Sequence, residues 1–116
     1  MTEALPVLQL DEFREDMIDL PSDIRDGFRD VLINITKEDI KRNKFEPLRG
    51  KLRIFRKVRK GKYRAIFVYC RECYTMFNRV FGCVICNDDF EKIIAFCILK
   101  RKHNYRKFQK RFGKFF

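Results

Sequence analysis

Lys51-Leu52-Arg53-Ile54-Phe55-Arg56-Lys57-Val58-Arg59-Lys60-Gly61-Lys62-Tyr63-Arg64 is a run in which basic and apolar residues intermix in two stretches joined at Arg59-Lys60-Gly61-Lys62. The pattern predicts a basic β-hairpin. Side chains on a strand alternate between its two faces, so this hairpin can bury Leu52, Ile54, Val58 and Tyr63 while holding guanidinium and ammonium groups on a firm surface. A rigid cationic surface suits phosphate.

Working outward, Tyr63 to Tyr69 reads as a central strand and Lys92 to Leu99 as a second, both rich in β-branched and aromatic residues. Upstream, Thr36 to Gly50 is a charged connection punctuated by Pro47-Leu48-Arg49-Gly50. Pro6 to Leu10 is a short apolar strand, and Asp11 reads as the N-cap of a helix over Glu12 to Leu20. Pro21 breaks that helix. Ser22 then caps a second one, in which Ile24, Phe28, Val31, Leu32 and Ile35 recur at helical spacing. The tail from Arg101 sets Tyr105, Phe108, Phe112 and Phe115 on one side of a basic amphipathic helix, whose aromatic stripe is expected to dock on the sheet.

The chain has 116 residues, including 13 Phe, enough for one core and no second one, so residues 1–116 are expected to form a single domain. Its formal net charge of +11 is unevenly placed: residues 1–40 carry 4 Lys/Arg against 11 Asp/Glu, and residues 41–116 carry 23 against 5. A basic half of this strength predicts an anionic partner, nucleic acid being the commonest, while the acidic half argues against a mere polycation. No run approaches the length of a membrane span and the first residues lack the pattern of a signal peptide, so the expected location is the cytoplasm, with no membrane partner.

Cys70-Arg-Glu-Cys73 and Cys83-Val-Ile-Cys86 are two C-x2-C pairs nine residues apart, a spacing that lets four thiolates converge on one structural zinc. The competing reading is that of buried thiols acting as small apolar residues. Tyr69, Val84 and Ile85 look like strand residues, and Thr75 to Val84 can add a strand pair. Cys97, inside an apolar strand, belongs to the core.

The order strand, helix pair, Leu-Arg-Gly, basic hairpin, Tyr-Arg, apolar strand, Lys-Arg and a nearby Tyr resembles the RelE/ParE superfamily of toxin–antitoxin toxins. The motifs are the Leu20-Pro21 break, Leu48-Arg49-Gly50, Gly61-Lys62-Tyr63-Arg64 and Lys100-Arg101-Lys102-His103-Asn104-Tyr105. The resemblance implies an α+β fold in which an N-terminal strand and a helix pair pack on a twisted antiparallel sheet of four or more strands, with a basic C-terminal helix. It also implies a ribonuclease that cuts messenger RNA without a metal, in many members on the ribosome, and that a cognate antitoxin neutralises. Residues 70–91 are an insertion against the family pattern.

On that resemblance the catalytic set is Lys57, Arg59, Arg64, Arg101 and Tyr105. The first of the family's strand lysines has no counterpart; Phe55 stands near its place, with Arg53 or Arg56 the nearest substitutes. Cleavage by the RNA's own 2′-hydroxyl needs a base, cations for the charge that builds on the phosphorane, and an acid for the leaving 5′-oxygen. Arg64 and Arg101 suit the charge role because guanidinium forks match phosphate oxygens. His103 and Tyr105 are the acid and base candidates; against this, His103 can be a solvated loop residue and Tyr105 can stack on a base or pack beneath the tail. Lys51, Arg53, Arg56, Lys60, Lys62, Lys100, Lys102, Arg106 and Lys107 are the expected RNA-steering cations. A gyrase inhibitor of the ParE branch, which lacks the full basic and Tyr set, and a non-catalytic nucleic-acid-binding regulator are the alternatives.

Overall fold

The computed structural model describes residues 3–77, 90–100, 106 and 108, without the side chains of residues 51 and 74–77. Its elements in chain order are β1 (Val7–Gln9), α1 (Asp11–Ile18), α2 (Ser22–Leu32), α3 (Lys37–Lys41), a 3₁₀ turn at Gly50–Leu52, β2 (Phe55–Lys60), β3 (Tyr63–Tyr69), α4 (Cys70–Phe77) and β4 (Ile93–Lys100). The sheet order is β1-β4-β3-β2. It is mixed rather than wholly antiparallel: β2 pairs β3 and β3 pairs β4 antiparallel, whereas β1 joins β4 in parallel.

The hairpin forms where the alternation ends in glycine. Gly61 and Lys62 make a two-residue turn between the paired ends Lys60 and Tyr63, and Gly61 takes φ +58°, a conformation that costs a residue with a Cβ. Leu52 and Ile54 bury before the strand starts at Phe55, so the hairpin is shorter than the sequence pattern implied.

α1 and α2 cover one face of the sheet. Phe13, Met17, Leu20, Phe28 and Leu32 pack there with Val58, Ala65, Phe67, Tyr69, Ile93 and Ala95. Both helices begin one residue earlier than their polar caps suggest: Leu10 and Pro21 occupy the cap positions, and Asp11 and Ser22 are the first helical residues, with no side-chain cap hydrogen bond. Asp11 and Glu12 still place negative charge on the positive end of the helix dipole. α3 was missed in the sequence although a signal was there, since Thr36 and Asp39 form a reciprocal capping box.

The opposite face carries Phe55, Ile66, Val68, Ile94, Phe96, Cys97 and Leu99. An irregularity at Phe96 keeps this face apolar: Ile66 pairs with Cys97 and Phe67 with Ala95, so Phe96 is the extra residue of a β-bulge. Asp16 on α1 accepts the Ile98 N–H at 2.9 Å just beyond it, tying the helix layer to the distorted strand. Phe108, helical and buried, meets Phe55 edge-on at 4.7 Å between centroids, which agrees with the aromatic docking expected of the tail at the residue described there.

Residues 70–77 are helical, so Thr75 to Phe77 do not begin the strand pair expected over Thr75 to Val84; the rest of that stretch lies outside the described residues. Among the described residues no helix is long and apolar enough to cross a membrane.

Candidate functional site

Strand parity sorts the cations of the hairpin. On β2, Val58 lies on the helix-covered face, so Arg56 and Lys60 share that face while Lys57 and Arg59 look the other way. On β3, Ala65 and Phe67 take the helix-covered side, which leaves Arg64 with Lys57 and Arg59. Arg59 and Arg64 are direct cross-strand partners, with Lys57 two residues along β2. Like charges directly opposite each other destabilise a sheet, so this juxtaposition works against folding and in favour of an anion.

Arg64 is the unusual member. Its relative exposure is 9 % and its Nε has no hydrogen-bond partner among the described residues. A buried guanidinium N–H left unpaired costs about 1–3 kcal/mol, more for a charged group, so it is retained against the stability of the chain. Lys57 is half-buried, and its Nζ lies 3.4 Å from a carboxylate oxygen of the exposed Glu46. Arg59 is exposed. Beside Lys57 and Arg59 runs a groove of about 430 Å³ floored by Pro47, Leu48 and Leu52 and flanked by Glu46 and Arg49. Sequence reasoning gave Arg49 and Glu46 no role, because both lie in an irregular connection with no period to read.

The other expected cations scatter. Arg56 is turned inward: its Nε and Nη2 donate to the Glu72 carboxylate at 2.9 and 2.7 Å, and its Nη1 donates to Asn43 Oδ1 at 3.1 Å and to the Phe45 carbonyl at 2.8 Å. With every nitrogen engaged and 7 % exposure, this guanidinium is structural, which corrects its assignment to an RNA-contacting surface. Lys60 extends its stem toward Gly27 on α2, where an added Cβ would meet Lys60 Cε at 3.5 Å. Lys62 lies over the Tyr63 ring at 5.6 Å, and Lys100 is exposed opposite Tyr63. Arg53 is exposed after the 3₁₀ turn that contains Lys51, and Arg106 is exposed and helical. Arg101, Lys102, His103, Tyr105 and Lys107 fall outside the described residues.

Of the cysteines, Cys70 and Cys73 stand one turn apart on α4, both buried in the apolar cluster with Cys97. Cys83 and Cys86, the other half of the expected four-thiolate site, fall outside the described residues. Around α4, Glu91 joins the two ends of the insertion: it accepts from Tyr69 Oη at 3.0 Å and Arg71 Nε at 3.0 Å and lies 3.2 Å from Lys37 Nζ. Burial and the hydrogen bond to Glu91 push the Tyr69 phenol up to about 12. Partial burial works to raise the Glu91 carboxyl, but the hydrogen bonds from Arg71, Tyr69 and Lys37 prevail and hold it below the usual carboxylate range.

No protein-family model and no curated protein matches the sequence. Among solved structures, the chain is similar to one chain of the toxin–antitoxin complex RelBE2 from Mycobacterium tuberculosis, with 18% identity, a TM-score of 0.54, and coverage of 84% of this chain and 99% of that one. A chain of the RelB–RelE antitoxin–toxin complex from Methanococcus jannaschii aligns at 19% identity and a TM-score of 0.49, covering 87% and 98%. The α+β architecture with a four-stranded open, mixed sheet is the RelE-like toxin fold.

Proposed function

We propose that this chain is the toxin of a toxin–antitoxin pair, an endoribonuclease of the RelE branch that cleaves messenger RNA on the ribosome. The observation that carries the reading is the unpaired, buried Arg64 beside Arg59 and Lys57 on one sheet face. The fold shared with a chain of a toxin–antitoxin complex supports the class, and the basic half of the sequence supports an RNA substrate.

In the proposed reaction the RNA 2′-hydroxyl attacks its own phosphodiester. Arg64 holds a non-bridging oxygen of the scissile phosphate through its guanidinium, and with Arg101 it stabilises the phosphorane. Lys57 exchanges the Glu46 carboxylate for the phosphate, and Arg59 positions the neighbouring backbone. Tyr105 and His103 supply acid and base. A cognate antitoxin rich in acidic residues would neutralise the toxin by covering this face.

Inducing the protein in bacterial cells and mapping messenger 5′ ends tests this reading, with Arg64→Ala as control. Growth arrest with new in-frame ends that vanish in the variant is the expected result. Arrest with intact messages would overturn the nuclease reading in favour of gyrase inhibition, and no arrest in favour of a binding module.

A further inference from the structure

The insertion leaves and rejoins the sheet at one place. Tyr69, the last residue of β3, pairs with Ile93, the first of β4, and the Cys70 N–H donates to the Lys92 carbonyl at 3.0 Å. Glu91 accepts from Tyr69 and Arg71, and the Arg71 guanidinium lies 5.4 Å from the centroid of the Phe90 ring. Residues 69–73 are thereby fixed against residues 90–93. Cys70 and Cys73 belong to this neck. They open α4, one helical turn apart and so on one side of it, at the end where the helix dipole favours negative charge.

The proposed reaction uses neither thiol, and packing a core requires no second pair at the same internal spacing. Yet Cys83-Val-Ile-Cys86 repeats the C-x2-C pattern after nine residues. Only Asn87-Asp88-Asp89 separate Cys86 from Phe90, so chain length alone keeps Cys86 within about 14 Å of the neck. Among the described residues no three His, Cys, Asp or Glu side chains are placed to hold a metal, so Cys97, although it packs in the same apolar cluster, does not complete a site with Cys70 and Cys73. The further ligands of a metal held there have to come from the second pair.

We propose that Cys70, Cys73, Cys83 and Cys86 bind one structural zinc ion that closes the neck of the insertion. Four thiolates are soft ligands that suit a tetrahedral ion at about 2.3 Å from each sulfur. A segment of this length seldom builds a core of its own, and metal binding supplies folding free energy in its place. Four thiolates on a divalent ion leave a net negative charge, and Arg71 and Lys92 flank the first pair with positive charge. Glu72, between the two thiols in sequence, is the carboxylate that grips Arg56 of β2 at 2.9 and 2.7 Å. A metal on this turn would hold the support of the strand that carries Lys57 and Arg59. The site is independent of whether the chain cleaves RNA.

The test is made on the full chain, kept reduced by a phosphine, with zinc and cobalt as probes. Metal analysis after dialysis should give one zinc per chain, and cobalt in its place should show the thiolate charge-transfer bands of a tetrahedral four-sulfur site. A chelator that strips the zinc should lower the melting midpoint, and added zinc should restore it. The double variant Cys83→Ser, Cys86→Ser should bind zinc at least about a hundredfold more weakly, whereas Cys97→Ala should keep the metal and the cobalt spectrum. Absence of zinc from the folded parent, a cobalt spectrum without sulfur ligation, retention of zinc by the double variant, or its loss from folded Cys97→Ala would each overturn the proposal. Because none of these readouts is cleavage, failure of the zinc site and failure of the nuclease reading are told apart.

Discussion

Two regions of this sheet bury an arginine, and they treat it in opposite ways. Around Arg56 the chain supplies a carboxylate from α4, a side-chain amide from Asn43 and a carbonyl from Phe45, so all three guanidinium nitrogens are engaged. Around Arg64, at nearly the same exposure, the Nε has no partner among the described residues and the facing residue across the strand is another arginine. The first region uses charge to hold β2, the 43–48 connection and α4 together. The second holds charge available, at a cost in stability that folding alone does not explain. The contrast teaches that burial does not by itself make a cation a structural tie; the partners of its donors do.

The largest effect expected of this contrast is on stability. Arg56→Ala should lower the unfolding free energy by about 3 kcal/mol, because it strands Glu72 in a part-buried site and releases the 43–48 connection. Equilibrium denaturation reads this directly. A loss under about 1 kcal/mol would put the pair in the class of exposed surface bridges and erase the distinction.

A second tie sits at the base of the insertion. Tyr69→Phe should cost about 1 kcal/mol near neutral pH through loss of the hydrogen bond to Glu91. The folded phenol is raised to about 12 from an ordinary 10, so its contribution is fully present below pH 10 and is lost as pH rises through about 12. The variant should therefore lack part of the alkaline destabilisation of the parent in a pH series of melting curves. Glu91 works in the other direction: its carboxyl is held low, so its contribution is present above the ordinary carboxylate pKa and is lost as acid protonates it in the folded state.

The smallest stability effect belongs to Arg64. Arg64→Met keeps the stem and removes a buried N–H with no partner among the described residues, so its unfolding free energy should lie within about 1 kcal/mol of the parent or above it. RNA binding should nevertheless fall, and the slope of log affinity against log salt should flatten by about one phosphate contact. A strong loss of stability in this variant would make Arg64 a second structural arginine.

Much of this was legible in the sequence, and the failures have physical causes. The hairpin was readable because strand alternation and a turn glycine agree over Arg53 to Tyr69. The helix pair was readable because Leu20-Pro21 breaks one apolar period and Ile24 to Leu32 starts another. Arg56 was misassigned although parity with Val58 already placed it on the inner face; its partner Glu72 lies 16 residues away, beyond any local pattern. Thr75 to Phe77, expected to open a strand pair because Thr and Phe favour strands, belong instead to α4, whose Cys70 and Cys73 pack into the apolar cluster. α3 is only five residues long, too short for a helical period to show. Lys57, Arg59 and Arg64 came as a set from the family resemblance, and strand alternation agrees in putting the three on one face. That the Arg64 Nε lacks a partner among the described residues was not legible, because it is a property of everything packed around it.

The most direct test of this account is the affinity of Arg64→Met for a short 2′-O-methylated RNA, which binds without being cut, measured beside the parent under conditions where both are folded. The account predicts affinity at least about tenfold weaker with an undiminished unfolding midpoint. Equal affinity would contradict it.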